Sequence, residues 1–453
     1  MEKKLFNKIL IANRGEIAVR IIRACKELDI QSVSIYSDVD KDSLHVKLAD
    51  EAICVGPAAP NKSYLNIPSI IAACEVTGAE AIHPGYGFLS ENADFSEICK
   101  ANNIVFIGAS AKSIRLMGDK AQAKKTMQEL GVPTVPGSKG IIRSEKELFQ
   151  TAEKTGYPLL LKASAGGGGR GMRLVEHERD LKKNYDLAYN EAIAAFGNGD
   201  IYAEKFIENP RHVEIQLLSD KYGHAIYLGE RECSIQRRHQ KLIEEAPSPV
   251  VDKKLRKKMG DASVKAAVGI KYEGAGTIEF LVDKNGDFYF MEMNTRIQVE
   301  HPVTEMVTGI DLVKEQIRIA ATKRLTVKQK DVQINGHSME FRINAEDYKR
   351  NFMPCPGVVD LFLPPGGKGV RTDSFIYPGF NVPPQYDSLL GKLIVWGKDR
   401  KETLQRANRA LEEFVIDGVT TVIPFHQKVI KHPAFVKGDF NTHFVDKHLE
   451  SLI

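Results

Sequence analysis

The sequence predicts a protein of mixed α/β and α+β class with about three domains. Its 453 residues are roughly three times the length of a typical domain. Residues 1 to about 110 alternate short apolar runs with amphipathic segments, as in a parallel sheet covered by helices. Further strand patterns occupy 201–294, and a stretch rich in proline and glycine at 354–384 interrupts a last region that ends in helices.

The first region contains five predicted strands and a strongly amphipathic helix. The helix "EIAVRIIRACKEL" places Ile17, Ile21, Cys25 and Leu28 on one face, at the spacing of helical turns. The strands are the apolar runs "KILIA", "SVSIY", "AICVG", "EAIHPG" and "IVFIG". Helical patterns follow up to "GVPTVPG", whose glycines and prolines break the chain.

Composition and charge exclude several classes of protein. A net charge of +4 over 453 residues is too weak to indicate a nucleic-acid partner. No apolar run approaches the roughly 18 residues of a membrane span, and the N-terminal apolar run is too short for a signal peptide. The six cysteines form no C-x-x-C pair and mostly lie in apolar periodic segments. We therefore expect a cytoplasmic protein with buried free thiols and no structural zinc, disulfide or membrane segment.

The segment "KASAGGGGRGMR" at 162–173 combines five glycines with one lysine and two arginines. It contains G-x-G-x-x-G, but the apolar runs on both sides predict strand, loop and strand rather than the strand-to-helix context of dinucleotide-binding folds. No P-loop motif occurs in the sequence. We interpret the segment as a hairpin whose amides close over an anion beside Lys162 and Arg170. A flexible surface hairpin is the alternative.

The segment "GTIEFLVDKNGDFYFMEMN" predicts a β-hairpin with two facing carboxylates. The dipeptide at 285–286, Asn-Gly, is a type I′ turn signal, and with these two residues as the loop Glu279 pairs directly with Glu292. Two such carboxylates repel each other unless one takes a proton or a cation lies between them. Asn294 adds an amide oxygen on the same face. This oxygen set suits Mg²⁺, whereas a solvated polar face is the alternative.

Two neighbouring segments concentrate charged side chains. "RECSIQRRHQKLIEEAP" brings Gln236, His239 and Lys241 close together in sequence, although a solvated basic face is the usual explanation for such a run. "NTRIQVEHPVTE" sets Arg296 four residues before Glu300. The planar fork of an arginine fits a carboxylate or a carbonate, and a nearby glutamate could take a proton from it. An ordinary ion pair is the alternative.

Nine motifs together carry a family resemblance. The sequence contains, in this order, "NRGEIA", "HPGYGFLSENA", "MGDK", "KASAGGGGRGMR", "EKFIENPRHVEIQ", "RECSIQRRHQK", "MEMNTRIQVEHPVTE", "INAED" and "YDSLLGKL". This set, from Asn13 to about Lys392, resembles the biotin carboxylase family of the ATP-grasp superfamily. The resemblance implies a Rossmann-like N-terminal domain at 1–115, an ATP-grasp domain at 116–330 with a mobile glycine-rich lid at about 132–204, and a C-terminal biotin carboxylase domain at 331–447.

The resemblance also implies roles for individual residues. The implied ATP-binding residues are Lys120, Lys162, Gly168, Gly169, Glu204, Lys205, Phe206, Ile207, His212, Gln236, His239, Glu279 and Glu292. The ligands of Mg²⁺, or of Mn²⁺, are Glu279, Glu292 and Asn294. The implied bicarbonate-binding residues are Lys241, Arg296, Gln298 and Val299. The implied biotin-binding residues are Tyr86, Gly87 and Arg342. The catalytic set is Lys241, Arg296, Glu300 and Arg342, in which Glu300 deprotonates bicarbonate and Arg342 stabilises the biotin enolate.

The implied activity is ATP-dependent carboxylation of biotin. Deprotonated bicarbonate attacks the γ-phosphoryl group of ATP and displaces ADP to give carboxyphosphate. This anhydride yields CO₂ and phosphate, the phosphate takes the proton of the ureido nitrogen of biotin, and the resulting enolate captures the CO₂ as N-carboxybiotin. The sequence contains no M-K-M biotinyl-lysine segment. The resemblance therefore implies a separate biotin carboxyl carrier protein, carboxyltransferase subunits and a homodimer, in the usual case within acetyl-CoA carboxylase of fatty acid biosynthesis.

Three alternatives share part of this pattern. A two-subunit pyruvate carboxylase or another acyl-CoA carboxylase uses the same first half-reaction. Another ATP-grasp ligase, of the carbamoyl-phosphate or purine-synthesis kind, would share the nucleotide and metal residues but not "RRHQK", "TRIQVEH" and "FRINAED" together. A non-catalytic nucleotide-binding regulator would be expected to lose Glu300 or a metal carboxylate, and the sequence retains both.

Overall fold

The computed structural model describes residues 5–138, 140–164 and 171–453. The predicted α/β and α+β class is confirmed, because the described chain contains a five-stranded parallel sheet, a three-stranded sheet and an eight-stranded antiparallel sheet, together with short two-stranded pairs. Among the helices in these ranges, none combines the length and the apolar character needed to cross a membrane.

The N-terminal region winds helices around a parallel sheet. Its strands are β1 Lys8–Ile11, β2 Gln31–Ser37, β3 Glu51–Gly56, β4 Ala81–His83 and β5 Val105–Phe106. Its helices are α1 Gly15–Glu27, α2 Leu44–Leu48, α3 Ile67–Thr77 and α4 Ala93–Ala101. The strand order is β3-β2-β1-β4-β5, so the winding reverses between β1 and β4. Ligands of such sheets bind beyond the carboxyl ends of the strands at this reversal, where "NRGEIA" and "HPGYG" begin.

A separate small sheet contains the strands that precede and follow the glycine-rich segment in the chain. The helices of this part are α5 Ala111–Gly118, α6 Lys120–Glu129, α7 Glu145–Thr155 and α8 Leu181–Phe196. The strands are β6 Leu159–Ala163, β7 Met172–Val175 and β8 Ile201–Lys205, in the antiparallel order β7-β6-β8. The pairing of β6 with β7 confirms strands on both sides of the glycine run. Gly168 and Gly169 themselves lie outside the described residues.

The eight-stranded sheet joins the middle and the C-terminal parts of the chain. The middle part supplies β9 Arg211–Ser219, β10 Ala225–Arg237, β11 Gln240–Ala246, β12 Gly274–Val282 and β13 Phe288–Asn294, with helices α9 Lys253–Gly269, α10 His301–Thr308 and α11 Leu312–Thr322. The C-terminal part supplies β14 His337–Asn344, β15 Glu346–Asp347, β16 Met353–Pro354, β17 Gly357–Val358, β18 Leu361–Leu363, β19 Val370–Ser374, β20 Asn381–Val382, β21 Leu389–Gly397 and β22 Val415–Asp417. Its helices are α12 Arg400–Glu413, α13 Ile423–Val429, α14 Pro433–Lys437 and α15 Phe444–Leu452.

The order of this large sheet is β13-β12-β9-β10-β11-β14-β21-β19. Strands β14, β21 and β19 therefore extend the sheet of the middle part without interruption, across the predicted boundary at 330. Along β9, Val213, Ile215 and Leu217 belong to one apolar core, whereas Glu214 and Gln216 point to the opposite face. That second face carries the polar residues of the candidate site.

The β12–β13 hairpin pairs Glu279 with Glu292 as predicted, but by a different route. The amide of Asp283 donates to the carbonyl of Asp287 at 2.9 Å, so the loop has three residues and the predicted two-residue type I′ turn at 285–286 is wrong. One extra residue in β13 then shifts the register and restores the predicted pairing. The two differences cancel, which is why the facing carboxylates are confirmed.

A two-residue turn of the primed type occurs instead between β10 and β11. Arg237 pairs with Gln240, and the two loop residues, Arg238 and His239, have φ values of 48° and 66°. For residues other than glycine, this left-handed backbone conformation costs roughly 1–2 kcal/mol per residue. The strained turn carries His239, a predicted ATP contact, and strain of this kind is concentrated at functional sites.

Cysteine burial follows the prediction at four of six positions. Cys25, Cys74, Cys99 and Cys233 are buried free thiols, whereas Cys54 is exposed. Burial raises the pKa of Cys25 to about 12, so this thiol stays protonated and acts as a small apolar side chain.

Candidate active site

Lys241 on β11 lies at the centre of a buried carboxylate cluster. Its Nζ is 2.6 Å from carboxylate oxygens of Glu214 and Glu300 and 3.0 Å from one of Glu279. The side-chain oxygen of Gln298 lies 3.4 Å away. Burial alone would lower the pKa of Lys241, but the carboxylates, Glu214 first, raise it well above its usual range. The lysine is therefore a fixed positive charge shared among three acids.

Arg231 supports this cluster from behind. It lies directly opposite Glu214 across β9 and β10, and its Nε donates to that carboxylate at 2.5 Å. Its terminal nitrogens donate to Gln216 at 2.6 Å, Thr304 at 3.0 Å and Thr277 at 3.1 Å. Because these partners hold a guanidinium with no exposed surface, Arg231 orients Glu214 and is not free to bind a ligand.

The predicted metal ligands meet on β12 and β13. Glu279 accepts hydrogen bonds from Lys241, Asn294 and Gln298, each at 3.0 Å. Glu292 accepts no hydrogen bond from the described residues, and burial together with the charge of Glu279 raises its pKa. A divalent cation would supply the positive charge that this carboxylate lacks, so the donor set fits Mg²⁺. The Oδ1 of Asn294 accepts from Arg296 at 3.0 Å and would have to be shared for ligation.

The predicted bicarbonate residues converge next to this pair. The Nε of Arg296 donates to Glu91 at 2.8 Å, which ties the loop after β13 to the N-terminal region. The carbonyl of Val299 accepts from Lys392 at 2.8 Å. Gln298 is buried and lies between Lys241 and Glu279, as its contacts above require. The structure thus brings all four predicted bicarbonate contacts to one loop and the adjoining strand β11.

Glu300 is held between two cations. Its carboxylate lies 2.6 Å from Lys241 and 2.9 Å from Arg342. Although burial alone would raise the pKa of Glu300, Lys241, Arg342 and Arg231 hold it well below its usual range. Arg342 is oriented in turn by Glu244, which accepts from its Nε at 2.6 Å. The predicted base and the predicted enolate-stabilising group are therefore in direct contact.

Two buried carboxyl groups lie behind Arg342. Glu244 and Glu340 face each other across β11 and β14, and both oxygens of Glu340 lack a hydrogen-bond partner among the described residues. Burial raises the pKa of Glu244 to about 7 and that of Glu340 well above its usual range. The charge of Glu244 adds to the effect of burial on Glu340, whereas Lys392 and Arg342 act to lower its pKa.

The predicted ATP residues form a second group around Glu204. Lys162 on β6 donates to Glu204 on β8 at 2.6 Å, and Lys124 of α6 contacts the other carboxylate oxygen. Burial would raise the pKa of Glu204, but Lys162 and Lys124 lower it. Lys120 is exposed at the start of α6. Two predicted ATP contacts, Lys162 and Glu204, are thus paired with each other here.

The remaining predicted ATP residues lie on adjoining elements. His212 on β9 is buried, and its Nε2 is 3.0 Å from Glu279. Burial would lower the pKa of His212, but Glu279 raises it. Gln236 and His239 lie on the β10–β11 hairpin. Lys205, Phe206 and Ile207 continue from β8, with Ile207 buried and Lys205 exposed.

The predicted biotin residues lie at the reversal point of the parallel sheet. The side-chain amide of Asn13 donates to the carbonyls of Pro84 and Tyr86, both at 2.7 Å, and so fixes the loop after β4. The hydroxyl of Tyr86 donates to Glu16 at the start of α1. Gly87 follows with φ 70°, a left-handed value that favours glycine.

Besides Glu16 at the biotin loop, seven charged residues of these networks were not predicted to have a role. Most are charged side chains inside otherwise apolar strands, a signal that marks buried polar groups but not their partners. Glu91 and Lys124 carry no such signal because they lie in a loop and on an exposed helix. The seven are Glu91, Lys124, Glu214, Arg231, Glu244, Glu340 and Lys392.

Comparison with known sequences covers nearly the whole chain. Residues 5–114 match the N-terminal domain of biotin carboxylase, 119–328 the ATP-binding domain of the carbamoyl-phosphate synthase L chain, and 340–447 the C-terminal domain of biotin carboxylase. The biotin carboxylase of Nostoc sp. is 60% identical over 98% of this chain and 99% of its own length. One of the pyruvate carboxylase subunits of Methanothermobacter thermautotrophicus is 53% identical over 98% and 90%.

Solved structures agree with the sequence matches. A Campylobacter jejuni biotin carboxylase in complex with a β,γ-ATP ligand has a TM-score of 0.91 at 50% identity, covering 98% of this chain and 99% of that one. The biotin carboxylase domain dimer of Hydrogenobacter thermophilus 2-oxoglutarate carboxylase, in complex with MgADP, ADP and bicarbonate, has a TM-score of 0.90 at 52% identity, covering 100% and 99%. The chain therefore belongs to the biotin carboxylase family, whose nucleotide-binding domain is of the ATP-grasp type.

Proposed function

We propose that the chain uses ATP and bicarbonate to carboxylate biotin on a separate carrier protein, as the first half-reaction of acetyl-CoA carboxylase. Family membership supports the carboxylation of biotin. The observation that carries the site assignment is the position of Glu300 between Lys241 and Arg342, beside the facing pair Glu279 and Glu292. A base, an enolate stabiliser and a metal-binding pair are thereby collected on one sheet face.

Glu300 can accept a proton only when the cations beside it interact with another negative group, because this raises its pKa. While Lys241 and Arg342 both contact it, its low pKa makes it a poor proton acceptor. A bicarbonate bound by Arg296 and Lys241 takes over part of the lysine charge and so raises the basicity of Glu300. Proton removal is therefore tied to the presence of the substrate that loses the proton.

Arg342 serves the second step by the same logic. Once Glu300 holds a proton it no longer needs the guanidinium, which can turn toward the negative oxygen of the biotin enolate. Glu244 keeps the Nε of Arg342 in place during this change. The positive charge of Arg342 thus compensates Glu300 in the bicarbonate step and the biotin enolate in the following step.

Glu279, Glu292 and Asn294 would hold Mg²⁺, or Mn²⁺. When bound, the ion supplies charge neutralisation at the phosphates of ATP, as in other phosphoryl transfers. The lysines at 120, 124 and 162 would add to this neutralisation, together with the amides of Gly168 and Gly169. The roles of these residues, and the domain boundaries at 115 and 330, are part of the proposal.

The final acceptor and the partners complete the proposal. Acetyl-CoA carboxylase is supported by relatives that carry the name biotin carboxylase in Nostoc sp., Bacillus subtilis and plant chloroplasts. The chain is 53% identical to a subunit of pyruvate carboxylase, which makes pyruvate the second candidate for the final acceptor. A biotin carboxyl carrier protein, carboxyltransferase subunits, a homodimer and a cytoplasmic location belong to the first candidate.

The two half-roles are tested by separating ATP cleavage from biotin carboxylation. Glu300→Gln should abolish both, because bicarbonate keeps its proton. Arg342→Ala should retain measurable ATP cleavage and lose coupled carboxylation by roughly 10²-fold or more, the usual loss for one preorganised oxyanion donor. ADP release and labelled bicarbonate fixed onto free biotin are followed in one reaction.

The unmodified chain provides the reference for this experiment. Its ATP cleavage should depend on bicarbonate, and its labelled product should require free biotin as well. If both variants lose the two activities in equal proportion with unchanged folding, the assignment of separate roles is wrong. A lack of labelled product in the unmodified chain contradicts the proposed function itself.

A further inference from the structure

We propose that Lys392, acting through Glu16, couples the biotin loop at Tyr86 to the bicarbonate loop at Val299, so that occupancy of one subsite changes the affinity of the other. Lys392 lies in "YDSLLGKL", a motif whose residues have no assigned role in the proposed function. The inference rests on the proposed function, because it takes the two loops as biotin and bicarbonate sites. Lys392 is a positioning residue, since it acts through Val299 and Glu16, which it contacts.

The contacts of Lys392 reach three parts of the chain. The residue lies on β21 and its side chain has no exposed surface. Its Nζ donates to the carbonyl of Val299 at 2.8 Å and lies 3.1 Å from Oε1 of Glu16 on α1. The hydroxyl of Tyr86 donates to the same Oε1 of Glu16. A continuous chain of polar contacts, buried at Lys392 and Glu16, therefore links the two loops.

The Val299 end controls the backbone of the proposed base. The carbonyl of Val299 and the N–H of Glu300 belong to one planar peptide unit, so a bond to the carbonyl fixes the orientation of both. Glu300 is also the residue that precedes the first turn of α10. A shift of Lys392 would therefore rotate the peptide that joins a predicted bicarbonate contact to the base.

At the other end, only one of the two carboxylate oxygens of Glu16 has polar partners among the described residues. Its Oε1 takes both donors, whereas its buried Oε2 has no hydrogen-bond partner among the described residues. If Tyr86 turns its hydroxyl toward bound biotin, Glu16 is left with Lys392 as its one polar contact described above. A buried carboxylate in that position draws the lysine closer and weakens the bond to Val299. The two arrangements differ in discrete contacts, which is what coupling between sites requires.

Burial opposes ionisation at both ends of this link: it raises the pKa of Glu16, although Lys392 and the hydroxyl of Tyr86 act to lower it. Removal from water alone would lower the pKa of Lys392, but Glu16, followed by Glu340 and Asp373, raises it. Arg371 opposes this effect from β19. At a separation of 3.1 Å, Lys392 and Glu16 form an ion pair whose response to Tyr86 is electrostatic and short-ranged.

The test compares the apparent KM for bicarbonate in ATP cleavage without and with saturating free biotin. The ratio of the two values measures the coupling, and in the unmodified chain it should differ from one by roughly fivefold or more, the lower end of typical coupling. In the double variant Lys392→Met with Glu16→Gln, the ratio should fall to about one. Replacing both members avoids the unpaired buried charge that a single change would leave.

A matched control removes a similar pair elsewhere. Lys8 on β1 also contacts a carboxylate, of Glu51 at 2.5 Å, and a backbone carbonyl, of Thr77 at 2.8 Å. Lys8→Met with Glu51→Gln should leave the ratio unchanged. Tyr86→Phe removes one hydroxyl and should move the ratio toward one even if the double variant fails to fold.

Three results overturn the inference. The first is a ratio of one in the unmodified chain. The second is an unchanged ratio in a folded Lys392→Met, Glu16→Gln variant, and the third is an unchanged ratio in Tyr86→Phe. An unmodified chain that fixes no labelled bicarbonate onto biotin overturns the proposed function as well, and this outcome is distinguished before any variant is made.

Discussion

At the scale of single residues, charge compensation distinguishes the members of the candidate site. Glu279 is surrounded by donors, and Lys241 and His212 hold its pKa well below its usual range against the effect of burial. Glu292 opposite lacks such partners among the described residues and has a raised pKa. The pair is therefore one ionised carboxylate facing one that resists ionisation, which is how two acids coexist at a site awaiting a cation.

Glu292→Gln should separate metal binding from folding. The change keeps the shape of the side chain and removes one of two facing charges, so the Mg²⁺ concentration for half-maximal turnover should rise and turnover at limiting Mg²⁺ should fall. Thermal unfolding without metal should be unchanged or shifted upward, because the repulsion is relieved.

Glu273→Gln provides the control for this variant, because Glu273 pairs with Lys323 at 3.2 Å, outside the candidate site. It should leave the Mg²⁺ dependence unchanged. Normal turnover of Glu292→Gln at limiting Mg²⁺ would show that this face of the hairpin is a solvated polar surface and does not bind the metal.

At the scale of elements, strand pairing decides where each polar group lies. The antiparallel pairing of β6 with β8 places Lys162 opposite Tyr202 and diagonal to Glu204, so that its Nζ reaches the carboxylate of Glu204. The same small sheet holds both ends of the glycine-rich segment, through β6 and β7. The segment is thus attached to a rigid frame while its own sequence favours close approach of backbone amides.

Gly168→Val should impair ATP use far more than stability. The added side chain would occupy the space through which amides approach a phosphate and would restrict φ. We expect a large rise in the KM for ATP or loss of turnover, with a midpoint of thermal unfolding close to that of the unmodified chain. Gly366→Val is the control, because a Cβ added there meets nothing within 4 Å. Unfolding of Gly168→Val in parallel with its loss of activity would indicate a structural loop instead.

At the scale of the whole molecule, one antiparallel sheet combines the middle and C-terminal parts of the chain. The pairing of β11 with β14 crosses the predicted domain boundary and brings Glu244 opposite Glu340. Arg342 on β14 thereby reaches Glu300, which precedes α10 in the middle part. The candidate site therefore depends on the docking of both parts, and its charges contribute to global stability.

The pH dependence of unfolding should reveal Glu244. Its pKa of about 7 in the folded chain exceeds the ordinary value of about 4.3, so the folded state keeps a proton that the unfolded state loses between these pH values. Stability attributable to this group should therefore decline as pH rises through that window and stay level above it. The decline should be on the order of 4 kcal/mol at most, at about 1.4 kcal/mol per pKa unit.

Glu244→Gln cannot ionise and should lose this decline. The measurement is the free energy of unfolding from denaturant titrations across the window, as the difference between variant and unmodified chain, which cancels contributions from the other titrating groups. Glu273→Gln should retain the decline. Parallel pH profiles of Glu244→Gln and the unmodified chain would contradict a raised pKa at this position.

The sequence by itself determined the fold class and the strand and helix patterns, because periodicity and the pleat act over short distances along the chain. It also carried the motifs that identify the family. The pairing of Glu279 with Glu292 agrees with the prediction only because a longer loop and an extra residue in β13 cancel. Only the tertiary structure decided that Glu214, Arg231 and Glu244 orient Lys241 and Arg342, and that Lys392 joins two loops. These contacts join residues far apart in sequence, and a buried charge reveals its partner only when strands from different parts of the chain pack together.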